Sequence, residues 1–186
     1  MDIVVPAKPA LFLDRDGVIN VRPENDYVKD IADFQFIEGA IESIALLNDF
    51  FSPVLVVTNQ QGIGKGLMTV AGLEKIHEHM LKQISAGGGR IDKVYFCGDL
   101  DKTGSFYRKP AVGMGLLAKR DFPRIQFRNS VMVGDSITDM IFGKRLNMQT
   151  VLIDANCDIA RAFHRMIDRR YHSLKEFATY IVQHCK

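Results

Sequence analysis

The sequence predicts an α/β fold: a three-layer α/β/α sandwich around a mainly parallel central sheet. Three observations carry that prediction. Short apolar runs alternate with longer amphipathic stretches along the chain, which is the pattern of βαβ units. Several runs, such as ALFL at 10–13 and PVLVV at 53–57, are continuously apolar, as expected of parallel strands covered on both faces. The 186 residues, 47% hydrophobic and 25% charged, suit one globular domain over 1–186. A domain of that size buries about 70% of its unfolded surface and needs no covalent staples.

Each element has its own signal. A strand at 10–13 leads to a long polar segment, 20–37, without regular pattern. Residues 39–50 (GAIESIALLNDF) repeat apolar positions at helical spacing, and 53–57 is the second strand. A helix over 69–85 ends at Gly87-Gly88-Gly89, which reads as a helix stop and loop, and KVYFC at 93–97 is the third strand. After an irregular loop at 98–107, a helix over 110–120 is expected to begin at Pro110, a residue suited to the first helical position. Strands at 130–133 and 149–153 flank a helix at 137–147, and Ser173 caps a last helix over 173–185. That makes five strands, with no internal repeat and no insertion large enough to be a second domain.

Bulk chemistry narrows the functional classes. The net charge is only +2 and no long basic block occurs, so neither nucleic acid nor an anionic membrane is the expected partner. Cys97, Cys157 and Cys185 are scattered and form no CxxC pair, which suits a reducing compartment. The opening residues lack the charged and long apolar regions of a secretory leader, and nothing approaches a bilayer-spanning length. A cytoplasmic protein is expected.

Open α/β sheets bind ligands beyond the carboxyl ends of their strands, so the residues just after each run matter most. After the first come Asp14-Arg15-Asp16; after the second, Thr58-Asn59-Gln60; after the fourth, Gly134-Asp135-Ser136, with Asp139 one helical turn on. Asp16-Gly17 alone would suggest a tight turn, and Asp135 or Ser136 alone a helix cap. Taken together, Asp14, Asp16 and Asp135 would repel one another unless a cation neutralised them, and a few hard oxygen ligands suit Mg²⁺. Arg108-Lys109, placed ahead of a helix, would hold an anion there. Other motifs lead nowhere. GIGKG at 62–66 is not a phosphate-binding P-loop, because Asn59 stands where the first glycine should be. His77 and His79, two apart on a helix, read as a solvated pair. Met114, Met132, Met140 and Met148 read as core filling, and Asp99 and Asp101 as loop solvation.

Four of these stretches together resemble the haloacid dehalogenase superfamily of phosphatases: FLDRDGVIN with Asp14 and Asp16, VVTNQ with Thr58, RKP with Lys109, and VGDSITD with Asp135 and Asp139. Within it, LDRDGVIN, the Tyr-Val pair at 27–28, FQFIEG, VVTNQQGIGKG and RKPAVG resemble the heptose-bisphosphate and histidinol-phosphate phosphatases. The similarity covers about 9–155. It implies a Rossmann-like domain with little or no cap and Mg²⁺-dependent hydrolysis of a small phosphate ester. Asp14 would be the nucleophile and Asp16 the general acid and base. Thr58 and Lys109 would hold the phosphoryl oxygens, and Asp14, the Asp16 carbonyl and Asp135 the metal. Asp139 would support Lys109 or a metal-bound water. Asn59, Gln60, Arg108 and segment 20–28 would meet the rest of the substrate. Many relatives carry a zinc loop before Arg-Lys-Pro. Here CGDLDKTGSFYRKP keeps Cys97 but has Asp99 for the histidine and lacks the later cysteines. One thiolate cannot make a closed zinc site, so no zinc is expected and the loop should be held by its own packing. A binding module without catalysis would not need Asp16.

Overall fold

The computed structural model describes residues 8–24, 26–153 and 163–185; Cys157 lies outside them. The strands are β1 (Leu11–Leu13), β2 (Val54–Asn59), β3 (Lys93–Cys97), β4 (Val131–Gly134), β5 (Gln149–Ile153) and β6 (Arg169–Tyr171). They form one sheet in the order β3-β2-β1-β4-β5-β6, and every pairing is parallel. The helices are α1 (Ala40–Leu47), α2 (Val70–Ala86), α3 (Gly113–Asp121), α4 (Ile137–Arg145) and α5 (Leu174–His184).

Strand side chains alternate faces, and the short central strand shows it. Leu11 and Leu13 join a core with Ile44 of α1, Leu73 and Met80 of α2 and Phe177 of α5. Phe12, between them, joins the opposite core with Met114 of α3 and Phe142 of α4. All three β1 side chains are fully buried, each worth about 1.5–3 kcal/mol of apolar transfer. A Phe12→Ala change is expected to cost about 3–5 kcal/mol. The four methionines singled out from the sequence are all buried.

Some boundaries and one strand differ from expectation. β6 is an additional edge strand, short and carrying Arg169 and Arg170. An edge needs only one covered side, and charged residues leave no apolar run to read. The Lys109–Pro110 peptide is cis. α3 begins at Gly113, not at Pro110, so Arg108 and Lys109 are not at a helix N-terminus, and any anion affinity rests on the side chains themselves. α4 is capped by Ser136, whose hydroxyl and backbone N–H both donate to Asp139 Oδ2. Ser173 caps α5 as expected, accepting from the Glu176 N–H at 3.2 Å. The described residues of segment 20–37 form no cap domain. Asn20 bridges to Phe36, and Val28 and Phe34 anchor the segment in the core under α2. The 98–107 loop is tied by Arg108, whose guanidinium donates to Asp101 Oδ1 at 3.2 Å and to the Asp99 carbonyl at 3.4 Å.

Candidate active site

The carboxyl ends of β1, β2 and β4 converge as parallel strands in register must, with Leu13 beside Val56 and Val133. Asp14 continues β1, its N–H donating to the Val133 carbonyl at 2.9 Å. The chain then turns sharply, with Gly17 at φ 89°. A side chain at 17 is doubly excluded, because its Cβ would lie 1.9 Å from Asp135 Oδ2. The turn thus brings the first loop directly against the loop after β4.

Lys109 enters this site from below. It is 2% exposed, and its Nζ lies 3.0 Å from Asp14 Oδ1, 2.5 Å from Asp139 Oδ1 and 2.6 Å from the Val57 carbonyl. Its backbone is fixed by Asn59, whose amide makes reciprocal 2.9 Å bonds with the Lys109 carbonyl and N–H. Burial, then the Asp139 charge, raise the Asp14 pKa against the opposing pull of Lys109. Burial and Asp14 likewise raise Asp135.

Asp14, Asp135 and Asp139 offer oxygens that lie within 4.8 Å of one another. Asp139 is engaged by Lys109 and Ser136, and Asp14 Oδ1 by Lys109 and the Arg15 N–H, which leaves Asp14 Oδ2 and Asp135 for a further cation. There the chain supplies its own cation. Arg22 Nη2 donates to Asp135 Oδ1 at 2.8 Å and to the Asp16 carbonyl at 3.1 Å, and lies 3.7 Å from Asp14 Oδ2. Two carboxylates and a carbonyl meeting at one positive nitrogen are a hard-oxygen donor set that fits a divalent cation.

Asp16 occupies a different environment. Arg15 donates to it from Nη2 at 2.8 and 3.0 Å and from Nε at 3.2 Å. Asn20 Nδ2 adds a bond at 2.9 Å and Gln60 Nε2 one at 2.8 Å. Burial pushes the Asp16 pKa up, but the Arg15 charge and these bonds outweigh it and leave the carboxyl below its ordinary value. Gln60 is 1% exposed and also donates to Thr58 Oγ1. It points into the protein and positions Asp16 and Thr58, rather than meeting substrate as its neighbourhood in sequence suggests. Asn59 spends its amide on Lys109 in the same way.

The site opens into a pocket of about 490 Å³ lined by Asp14, Asp16, Thr58, Asn59, Arg108 and Lys109, together with Arg22, Tyr27, Gln61 and Lys65. Gln61 donates to the Tyr27 hydroxyl at 2.9 Å, and Lys65 lies 5.2 Å from the centre of the Tyr27 ring. Sequence reasoning brings Asp14, Asp16, Thr58, Lys109, Asp135, Asp139 and Arg108 to this region. It misses Arg22, whose only signal is its place in segment 20–28, and it misses Arg15 and His77. His77 is not half of a solvated pair: it is buried, with Nε2 3.3 Å from Arg15 Nη1. No helix among the described residues is long and apolar enough to cross a membrane.

Comparison with known proteins agrees with this geometry. The family model for polynucleotide kinase 3 phosphatase matches residues 10–171. The D-glycero-beta-D-manno-heptose-1,7-bisphosphate 7-phosphatase of Vibrio cholerae is 39% identical over 154 residues, covering 79% of this chain and 81% of its own. The D-glycero-alpha-D-manno-heptose-1,7-bisphosphate 7-phosphatase of Campylobacter jejuni is 37% identical over 144 residues, covering 77% and 81%. Among solved structures, the D,D-heptose 1,7-bisphosphate phosphatase of B. bronchiseptica, complexed with magnesium and phosphate, superposes with a TM-score of 0.82 at 26% identity, covering 94% of this chain and 98% of its own. The Burkholderia thailandensis D,D-heptose 1,7-bisphosphate phosphatase superposes at 0.69 with 30% identity, covering 94% and 99%. A family model spanning most of the chain, and relatives aligned over nearly four-fifths of it, place this protein in the polynucleotide kinase 3 phosphatase family of haloacid dehalogenase-like phosphatases.

Proposed function

We propose that this phosphatase is a cytoplasmic, single-domain enzyme that hydrolyses a small sugar phosphate, with heptose 1,7-bisphosphate as the foremost candidate. The observation that carries the reading is the pairing of Asp14 with buried Lys109 at the floor of a pocket whose walls include Arg22, Lys65 and Arg108. A cationic floor and a cationic wall suit an ester with more than one anionic group, and the named relatives act on a bisphosphate. Asp14 attacks phosphorus, forming an aspartyl-phosphate. Asp16 gives a proton to the leaving alkoxide and then takes one from the water that hydrolyses the intermediate. Its carboxyl lies below its ordinary pKa before substrate arrives; an incoming phosphate dianion beside it raises its proton affinity by like-charge repulsion, and it takes from solvent the proton that it passes to the alkoxide. Thr58 and Lys109 hold the equatorial oxygens, where the transition-state charge lies. Asp139 fixes Lys109. Asp14, the Asp16 carbonyl and Asp135 hold Mg²⁺, which supplies charge neutralisation between nucleophile and phosphate.

The test is kcat/KM with Mg²⁺ across heptose 1,7-bisphosphate, histidinol phosphate and an oligonucleotide 3′-phosphate. The last is included because the matching family model is described by that chemistry, although the net charge of +2 provides little electrostatic attraction for a polyanion. Preference for the heptose by tenfold or more is expected. Preference for either alternative replaces the substrate assignment and leaves the reaction type standing.

A further inference from the structure

One buried titratable group lies outside this mechanism. α2 packs on the sheet through a stripe that includes Leu73, Ile76, Met80 and Ile84, positions at helical spacing on one face. His77 falls inside that stripe and is 6% exposed. Leucine would satisfy the packing, so an imidazole there needs another reason. Burying a polar ring costs free energy unless it finds a hydrogen-bond partner, and the partner is Arg15 Nη1 at 3.3 Å. A guanidinium only donates, so the His77 Nε2 must be the acceptor and the ring must be neutral. Burial and the neighbouring Arg15 charge lower its pKa to about 3, which keeps it neutral at working pH. On its other side the ring lies against Phe96 of β3, 5.9 Å between centres.

Arg15 is itself fully buried. Its Nε and Nη2 are committed to Asp16, and its Nη1 is committed to His77. Arg15 is adjacent to Asp16 in sequence, so its long side chain must fold back to grip that carboxylate. His77 meets the opposite corner of the guanidinium and opposes rotation out of this pose. Without an acceptor at 77, the Nη1 hydrogens would be buried and unpartnered. That is a cost the side chain would relieve by turning, and Asp16 would turn with it.

We propose that His77 is a positioning residue of the phosphatase, holding Arg15 so that the Asp16 carboxyl is aimed at the leaving-group oxygen. The inference rests on the reading of Asp16 as general acid. It distinguishes His77 from a core residue by one property: proton donation matters for a poor leaving group and hardly at all for a good one. An alkoxide leaving from a sugar phosphate needs the proton, whereas p-nitrophenolate leaves without it.

The experiment measures kcat/KM, which reports phosphoryl transfer to Asp14 and not the later hydrolysis common to both esters, on an alkyl phosphate and on p-nitrophenyl phosphate for wild type, Asp16→Asn, His77→Phe and His77→Gln, all with saturating Mg²⁺. Asp16→Asn is expected to lose about 10²-fold or more on the alkyl ester and far less on p-nitrophenyl phosphate. His77→Phe should lose about tenfold on the alkyl ester, the scale of one hydrogen bond to a charged group, with less than a threefold change on p-nitrophenyl phosphate. His77→Gln, whose amide oxygen accepts from Arg15, should keep both rates within about threefold. If the Phe variant does not fold, His77→Met, flexible and without an effective acceptor, takes its place. Equal losses on the two esters in His77→Phe, or no loss, with the bias retained in Asp16→Asn, overturn the proposal alone. Equal losses in Asp16→Asn overturn the assignment of Asp16, and the role of His77 falls with it.

Discussion

The carboxylates of the candidate site are met by cations from two sides, and the sides are built differently. On the inner side Lys109 is buried, held through its backbone by Asn59 and through its ammonium by Asp14, Asp139 and the Val57 carbonyl. On the outer side Arg22 spans Asp14, Asp135 and the Asp16 carbonyl from a side chain that is 48% exposed. An inner charge of this kind belongs to the fold, because its removal strands a buried carboxylate. The outer one ends a half-exposed side chain that can swing into solvent, and it can yield to another cation. A single anionic cluster thus has one permanent counter-ion and one exchangeable one.

The sharpest way to break this contrast is to remove what both cations face. Asp14→Asn should abolish turnover, by about 10⁴-fold or more as for other lost nucleophiles, while circular dichroism shows the fold intact; wild-type turnover in that variant would refute the nucleophile. Chelation is next, and activity in excess EDTA should fall to background and return with Mg²⁺. Lys109→Met tests the inner side. It should lower kcat by about 10²–10³-fold and destabilise the protein by about 3–5 kcal/mol in urea unfolding, since Asp139 loses its buried partner. Arg22→Ala tests the outer side and should behave oppositely. Calorimetric titration should show Mg²⁺ binding tightened by about two- to fivefold, because the metal no longer competes with a guanidinium; weakened binding would mean that Arg22 supports the metal.

The smallest effect belongs to a carboxylate far from the site, which calibrates the others. Asp168 pairs with Lys144 and accepts from the Thr150 N–H at 2.8 Å, joining β5 to the approach of β6. Burial raises its pKa, but Lys144 and Thr150 outweigh that and leave it lowered. A depressed carboxylate stabilises the fold above its ordinary pKa and loses that contribution as pH falls through the lowered value. Asp168→Asn should therefore reduce Tm at pH 7 by about 2–4 °C, the equivalent of about 1 kcal/mol. The gap to wild type should narrow below about pH 4.

Legibility in the sequence obeys the same inner and outer logic. Continuous apolar runs announce buried parallel strands, so the residues just after β1, β2 and β4 stand out, and with them Asp14, Thr58 and Asp135. β6 escapes such a reading because an edge strand can be built from Arg169 and Arg170. Pro110 has the signal of a helix start, but the chain between Lys109 and Gly113 serves to bring Lys109 under Asp14, and tertiary packing overrides the local preference. Gln60 resembles a ligand contact because it comes soon after Thr58, yet its amide is spent on Asp16 and Thr58. His77 and Arg15 are 62 positions apart, and a contact between two side chains at that separation leaves no periodicity to read.

The central place of β1 also sets a timetable. The earliest made of the described strands is the one that needs neighbours on both sides, β2 and then β4. Asp14 is made early, but Lys109 and Asp139 come only after a stretch of chain that takes roughly 6–25 s to synthesise at ordinary elongation rates. Until β4 is made, Leu11, Phe12 and Leu13 have at least one flank unpaired, so a segment fully buried in the finished enzyme waits longest of the described strands for its partners.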